Sequence, residues 1–330
     1  MLIPLAEYTV LAVVATAVLW KASDTLESSS EHLSRYYALP TIVQGSIVTA
    51  VGSSFPELSS TVISTLLHGK FDLGVGAIVG SAIFNILVIP AVAVLIHGEV
   101  DTDKEVVYKD AQFYMLSVAA LLIVFSLAVI YYPVPGKELI GKINRPLALI
   151  PVVLYVLYVF IQYAEVRDHA AEPETSVNAV KQWLLLAASL VVILIAVEGL
   201  VKAAIGFGDL FNTPSYLWGL TVIAAGTSLP DAFVSIKSAG KDKGVQSLAN
   251  VIGSNIFDLL IAIPAGVLIA GTATVNFRAA VPMMGYLVFS TVVMFTFLRT
   301  DLKLTRKESY GMLFIYFIFI AAIGYTVLFV

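Results

Sequence analysis

The chain has 330 residues, of which 59% are hydrophobic and only 13% are charged. Soluble domains carry roughly 25% charged residues, so this composition predicts a protein that lies mostly in a lipid bilayer. The small net charge of -4, without any block of like charges, argues against a nucleic-acid partner. The absence of cysteine excludes disulfides, thiolate metal sites and thiol redox chemistry.

Ten apolar segments are long enough to cross a bilayer as helices, at about 20 residues per span. They predict an all-α membrane protein with ten transmembrane helices and short loops. Spans 2, 3, 7 and 8 carry polar motifs and are expected to be broken helices. The predicted spans are residues 3–22, 39–67, 72–97, 108–132, 145–164, 182–205, 214–239, 244–271, 278–298 and 308–330.

Two polar motifs in the first half of the chain recur in the second half. Span 2 contains Gly-Ser-Ser-Phe-Pro-Glu at 52–57, and span 7 contains Gly-Thr-Ser-Leu-Pro-Asp at 226–231. Span 3 contains Gly-Ser-Ala-Ile-Phe-Asn at 80–85, and span 8 contains Gly-Ser-Asn-Ile-Phe-Asp at 253–258. The chain is therefore an internal duplication with polar side chains at equivalent depths in both halves, a pattern typical of a transporter binding site.

The first motif recurs after 174 residues, and other residues recur at the same offset: Pro40, Gly45 and Ala50 match Pro214, Gly219 and Ala224. Asp24 and Glu198 also match, but both are expected near span ends, with structural roles. The four histidines are scattered and are expected at the surface rather than in a metal cluster.

The number of spans in each half fixes how the halves are related. Five spans is an odd number, so the two halves cross the bilayer in opposite directions and form an inverted repeat. We predict a first repeat at 1–164, a cytoplasmic linker at 165–181 and a second repeat at 182–330. In this arrangement Glu57 and Asp231 converge near the bilayer centre, together with Asn85 and Asp258.

The basic residues predict the orientation. With both termini outside, 13 of the 19 Lys and Arg residues fall at the inner ends or loops and 6 at the outer ones. The positive-inside rule favours this arrangement. We therefore expect a multi-pass protein of the plasma membrane, with both termini outside and no obligate protein partner.

The motif residues are suited to binding a hard cation. Proline has no N–H, so Pro56 and Pro230 leave the carbonyls of Gly52 and Gly226 without helical donors. Carboxylates, hydroxyls and free carbonyls give oxygen ligands, of which calcium takes six to eight. No cysteine or histidine lies in the motifs, which argues against zinc or copper.

The acidic residues need a counter-charge. An acid at the centre of a membrane helix costs about 2.5–3.5 kcal/mol on insertion scales. Glu57, Asp231 and Asp258 together would cost on the order of 8–10 kcal/mol on that scale. No Lys or Arg lies within ten residues of Glu57 or Asp258. A bound cation or a proton must therefore neutralise them.

The four motifs resemble the two alpha repeats of the calcium/cation antiporter superfamily, and among its branches they are most similar to sodium/calcium exchangers. The resemblance implies exchange of several Na⁺ for one Ca²⁺ by alternating access, without a cofactor. Glu57 and Asp231 would bridge calcium, joined by backbone oxygens of Ala50, Ser53, Ala224 and Thr227. The hydroxyls of Ser54, Ser81, Ser228 and Ser254 would form sodium sites, with Asn85 and Asp258 in the middle.

Two departures and several alternatives remain open. Ser53 and Asp231 stand where simple prokaryotic exchangers commonly have Thr and Glu, and the whole motif set looks more like potassium-dependent exchangers. Aspartate at position 258 is associated with potassium use in that branch, so K⁺ co-transport remains open. An H⁺/Ca²⁺ antiporter of the same fold is the main alternative. An intramembrane aspartyl protease using Asp231 and Asp258 leaves Glu57 unexplained, and a channel would need no countertransported ion.

Overall fold

The computed structural model describes residues 2–38, 50–165, 177–239 and 244–329. Nine helices in these ranges are long and apolar enough to cross a membrane. The remaining predicted span, span 2, is described only from Ala50 onward, and its first part, with Pro40 and Gly45, lies outside the described residues. Most of the predicted linker, residues 166–176, also lies outside them.

Six spans each contain one long helix. In chain order these are span 1 (Leu2–Tyr36), span 4 (Ala111–Tyr131), span 5 (Arg145–Glu165), span 6 (Ala179–Phe211), span 9 (Phe277–Arg299) and span 10 (Arg306–Phe329). A π-helical segment, Glu105–Asp110, leads into span 4.

The other four spans are interrupted or distorted, and these are the spans that carry the motifs. Span 2 consists of Ala50–Ser53 and Phe55–Leu66, and span 3 of Phe71–Leu87 and Ile89–His97. Span 7 consists of Ser215–Trp218, a π-helical segment Gly219–Ile223 and Ala224–Ala239. Span 8 consists of Gly244–Phe257, a π-helical segment Asp258–Ala262 and Ile263–Ala270.

The interruptions are not all where the prolines predict them. Span 2 breaks at Ser54, just before Pro56, as expected. In span 7 the helix continues through Pro230, and the irregular turn lies earlier, at Gly219–Ile223. In this π-helical turn the backbone hydrogen bonds run from residue i+5 to residue i instead of from i+4 to i. Pro230 has no N–H to donate to the Gly226 carbonyl, but this does not end the helix.

Spans 1 and 6 are much longer than the predicted segments 3–22 and 182–205. They contain 35 and 33 residues, about 50 Å at 1.5 Å per residue. Span 1 has no Gly or Pro between Pro4 and Pro40, so its polar second half continues the helix. In span 6, Gly206 does not end the helix; it packs against the ring of Tyr8.

Within the described residues, four short strands, which hydropathy does not reveal, connect loops at the two ends of the molecule. Strand β1 (Val100–Asp101) follows span 3 and pairs with β4 (Lys303–Leu304), which follows span 9. Strand β2 (Ile140–Asn144) follows span 4 and pairs with β3 (Thr272–Asn276), which follows span 8. Each pair joins loops that ten alternating crossings put on the same side of the membrane.

The two halves pack closely where spans 3 and 7 cross. A Cβ at Gly80 would meet the carbonyl oxygen of Leu220, and a Cβ at Gly219 would meet that of Leu73. Glycines allow two membrane helices to approach this closely. Apolar clusters lie on both sides of the crossing: one joins spans 3, 4, 8, 9 and 10, and the other joins spans 1 and 6.

We expect Gly80→Ala to destabilise this crossing, because the added methyl group would also lie 2.7 Å from the Cβ of Ala224. Overpacking of this kind costs about 1–3 kcal/mol. Thermal unfolding of the purified protein in detergent measures the effect. Gly285→Ala is the matched control, since no described atom lies within 4 Å of a Cβ there. Equal melting temperatures for the two variants would contradict the close crossing.

Candidate cation site

A buried polar layer lies where spans 2, 3, 7 and 8 meet. Every motif side chain predicted to bind ions is at most 5% exposed in this layer. These residues are Ser53, Ser54, Glu57, Ser81, Asn85, Thr227, Ser228, Asp231, Ser254 and Asp258. Ala50 begins the first piece of span 2, and buried Ala224 begins the last piece of span 7.

Hydroxyl pairs connect the two halves across this layer. The Oγ atoms of Ser53 in span 2 and Ser254 in span 8 are 3.3 Å apart. On the other side, Ser228 in span 7 donates to Ser81 in span 3 over 2.7 Å. Span 2 thus meets span 8, and span 7 meets span 3, as an inverted repeat requires.

The three acids are close enough to repel one another. Glu57 interacts electrostatically with both Asp231 and Asp258, which also interact with each other. No described Lys, Arg or His forms a salt bridge with any of them. Their negative charges are therefore uncompensated by the basic side chains in the described ranges.

The oxygens of these carboxylates also lack hydrogen-bond partners among the described residues. All six are buried, and none accepts a well-formed hydrogen bond from a described residue. Neutral polar groups nevertheless lie close by: Thr227 beside Glu57, Ser54 beside Asp258, and Ser53, Ser254 and Asn85 beside Asp231. Buried polar groups normally have partners, so unpartnered oxygens in such numbers indicate a place for a ligand.

The ligand set must be mixed. Within the described ranges no three His, Cys, Asp or Glu side chains are arranged to hold one metal ion. A cation here would therefore combine one or two carboxylates with hydroxyl, amide and carbonyl oxygens. The Ser54 hydroxyl and the Asn85 carbonyl oxygen are both buried and unpartnered among the described residues, so they are available. Mixed oxygen coordination suits calcium and other hard cations.

Sequence reasoning missed Asn255, which orients Asn85. The Asn85 amide donates to Oδ1 of Asn255 over 3.0 Å. Asn255 in turn donates to the carbonyl of Ala82 over 3.2 Å and to the Tyr114 hydroxyl over 3.4 Å. This bond holds the Asn85 side chain by one of its amide hydrogens, and its carbonyl oxygen has no partner among the described residues. Asn255 belongs to the second motif, but the first repeat has Ala82 there, so symmetry hid it.

We expect Asn255→Leu to weaken calcium binding by about 10- to 100-fold, as is usual when a group that orients a metal ligand is lost. Without this acceptor, the Asn85 side chain is no longer held in place, and its carbonyl oxygen is free to turn away from a bound cation. Calcium titration of the purified protein by calorimetry measures the change. The control is Asn250→Leu. It removes a half-buried amide from the same helix, but this amide donates to Ser235 and does not contact Asn85. Equal affinities in the two variants would show that Asn255 does not act on the site.

The pair Asp24 and Glu198 does not belong to the layer. Asp24 is exposed and lies 3.5 Å from Lys21. Glu198 lies well inside span 6, not near its end, and contacts His68 at 3.0 Å and Lys202 at 3.1 Å. The side chain of His68 is 22% exposed, so this histidine is partly covered by the protein, and the expectation for His169 lies outside the described residues.

The sequence is similar to those of known membrane transport proteins. The profile of the sodium/calcium exchanger protein family matches residues 7–164 and 181–325. The sodium/calcium exchanger MaX1 of Methanosarcina acetivorans is 24% identical over 343 residues, covering 92% of this chain and 95% of that protein.

Two solved structures have the same fold. A structure of the sodium-calcium exchanger NCX_Mj is 23% identical with a TM-score of 0.63, over 97% of this chain and 99% of that one. The H⁺/Ca²⁺ exchanger CAX is 14% identical with a TM-score of 0.75, over 97% and 84%. At these identities the likeness shows the fold alone: ten helices in two inverted repeats.

Proposed function

The chain belongs to the sodium/calcium exchanger protein family and is a cation/calcium antiporter, and from this premise we propose that it exchanges Na⁺ for Ca²⁺ by alternating access. Members of this family are transporters rather than catalysts. The ions are the cargo, and no cofactor is needed for their exchange.

One observation carries the proposal: six buried carboxylate oxygens from both halves lack partners among the described residues. Burying ionised carboxylates without compensation is too costly to persist, so the site must be loaded with positive charge. Calcium and sodium would compete for the same oxygens, so that the empty, charged site is avoided. With either calcium or sodium bound, the protein can then change the side of the membrane to which the site is open.

Neutral ligands favour sodium over protons as the exchanged ion. A proton carrier needs only the carboxylates, whereas Na⁺ also needs neutral oxygens around it. The hydroxyls of Ser54, Ser81, Ser228 and Ser254 are buried in the same layer as the acids, and Ser54 has no partner among the described residues. We assign these four to sodium, with the Asn85 oxygen and Asp258 between them.

Calcium would lie between the two bridging acids, Glu57 and Asp231. The carbonyls of Ala50, Ser53, Ala224 and Thr227 complete this proposed ligand set, since they flank the interrupted and distorted turns of spans 2 and 7. Asp231 is one methylene shorter than a glutamate. The wider site that results favours a second candidate activity, co-transport of the larger K⁺ ion.

Calcium flux into proteoliposomes tests the function. Vesicles loaded with Na⁺ and diluted into Na⁺-free medium should take up Ca²⁺, and vesicles loaded with choline should not. Repeating the assay with and without K⁺ tests co-transport. A further experiment imposes a pH gradient in the absence of sodium. Calcium uptake driven by the pH gradient alone would assign the protein to H⁺/Ca²⁺ exchange. Uptake without any opposing gradient would indicate a channel.

We further propose a plasma-membrane location with both termini outside, supported by the excess of basic residues at the inner ends. Because the chain has no cysteine, single substitutions report sidedness cleanly. Glu138→Cys, in the loop after span 4, should react with a membrane-impermeant maleimide in intact cells. Thr300→Cys, after span 9, should react only in permeabilised cells. The reverse pattern would invert the orientation.

A further inference from the structure

A lateral groove lies between spans 4 and 9, at the end of the molecule that carries β1 and β4. Its volume is about 430 Å³, and its walls include Ala111 and Met115 from span 4 and Val292 and Phe295 from span 9. Both walls belong to helices that are long and apolar enough to cross a membrane. Val292 is 51% exposed, so the groove opens sideways toward lipid rather than into the protein.

The end of the groove is positively charged. Arg299, the last residue of span 9, lies with its guanidinium carbon 5.9 Å from the centre of the Tyr108 ring. No salt bridge to Arg299 is formed by the described residues. A cation held over an aromatic ring at the end of a membrane span is at the depth of lipid headgroups.

The dimensions suit one lipid chain. The lining residues extend from Val107 to Met115 on one wall and from Thr291 to Arg299 on the other. Nine helical residues cover about 12 Å along the bilayer normal. A hydrocarbon chain entering from the headgroup region would fill this length, while its phosphate stays beside Arg299.

We propose that this groove binds one anionic phospholipid, with an acyl chain between spans 4 and 9 and its phosphate on the guanidinium of Arg299. Arginine binds phosphate through paired hydrogen bonds, and Tyr108 restricts its position. Arg299, the charged residue among those lining the groove, selects an anionic lipid over a zwitterionic one. The apolar walls select a lipid over free phosphate.

Native mass spectrometry of the full-length protein released from detergent tests the proposal, with phosphatidylglycerol and phosphatidylcholine of identical chains as probes. One phosphatidylglycerol should bind about fivefold more tightly than phosphatidylcholine, from one basic residue near the headgroup. Arg299→Gln should remove this preference, and Arg299→Lys should retain part of it. Arg278→Gln changes the exposed arginine at the opposite end of span 9 and should leave it intact.

The apolar wall is tested separately. Val292→Trp fills the groove at an exposed position and should weaken binding of both lipids. Equal binding of the two lipids to the unmodified protein, or an unchanged preference in Arg299→Gln, would overturn the proposal. Unchanged lipid binding in Val292→Trp would show that the groove does not hold the acyl chain, which would also overturn the proposal. Displacement of the lipid by glycerol phosphate would assign Arg299 to a free anion instead.

Discussion

Glu57→Gln is expected to abolish sodium-driven calcium uptake. Glu57 is fully buried and interacts with both other acids of the layer, and glutamine keeps its shape while removing its charge. A unit charge pair at 4 Å is worth about 4 kcal/mol at an effective dielectric constant of 20, which corresponds to roughly a thousandfold in affinity. Uptake into sodium-loaded proteoliposomes should therefore fall to the level of empty vesicles.

The matched control is Glu198→Gln. Glu198 is also a carboxylate in a membrane span, but it is partly exposed and contacts His68 and Lys202 outside the layer. Uptake should persist in this variant, and both proteins should elute as single peaks on size exclusion. Retained uptake in Glu57→Gln would remove Glu57 from the site, and with it the main support for the proposed exchange.

The sequence predicts the architecture well because the bilayer imposes simple rules. Apolar length marks the spans, and an odd number of spans in each repeat requires the inverted arrangement. The motifs then locate the layer, since each places a carboxylate or an amide together with a hydroxyl inside an apolar segment. The contacts between Ser53 and Ser254 and between Ser81 and Ser228 agree with this reasoning.

What the sequence does not reveal depends on contacts between spans. The polar half of span 1 stays helical because it packs along span 6. Hydropathy predicts only the part of a helix that lies in lipid, so it does not predict this extension. Asn255 matters because Asn85 lies opposite it, which no spacing along the chain predicts. The turn at Gly219–Ile223 accommodates the close approach of span 3, so its irregularity reflects the partner helix rather than Pro230.

Asp258→Asn is expected to keep sodium-driven calcium uptake but to remove its dependence on a second monovalent cation. The three acids of the layer would carry three negative charges against the two positive charges of calcium. The remaining charge is costly in a buried site, so the wild-type protein must load calcium together with K⁺, Na⁺ or a proton. With asparagine at 258, Glu57 and Asp231 alone match the charge of calcium.

Calcium uptake measured while K⁺ replaces choline, and again while the pH is lowered moderately, shows the difference. In the wild-type protein at least one of these changes should alter uptake by about tenfold, the equivalent of 1.4 kcal/mol. In Asp258→Asn both responses should be nearly flat, while Glu57→Gln stays inactive. If Asp258→Asn instead lost uptake altogether, the charge of Asp258 would be required for the exchange itself, and the proposal that it serves only a second monovalent cation would be wrong.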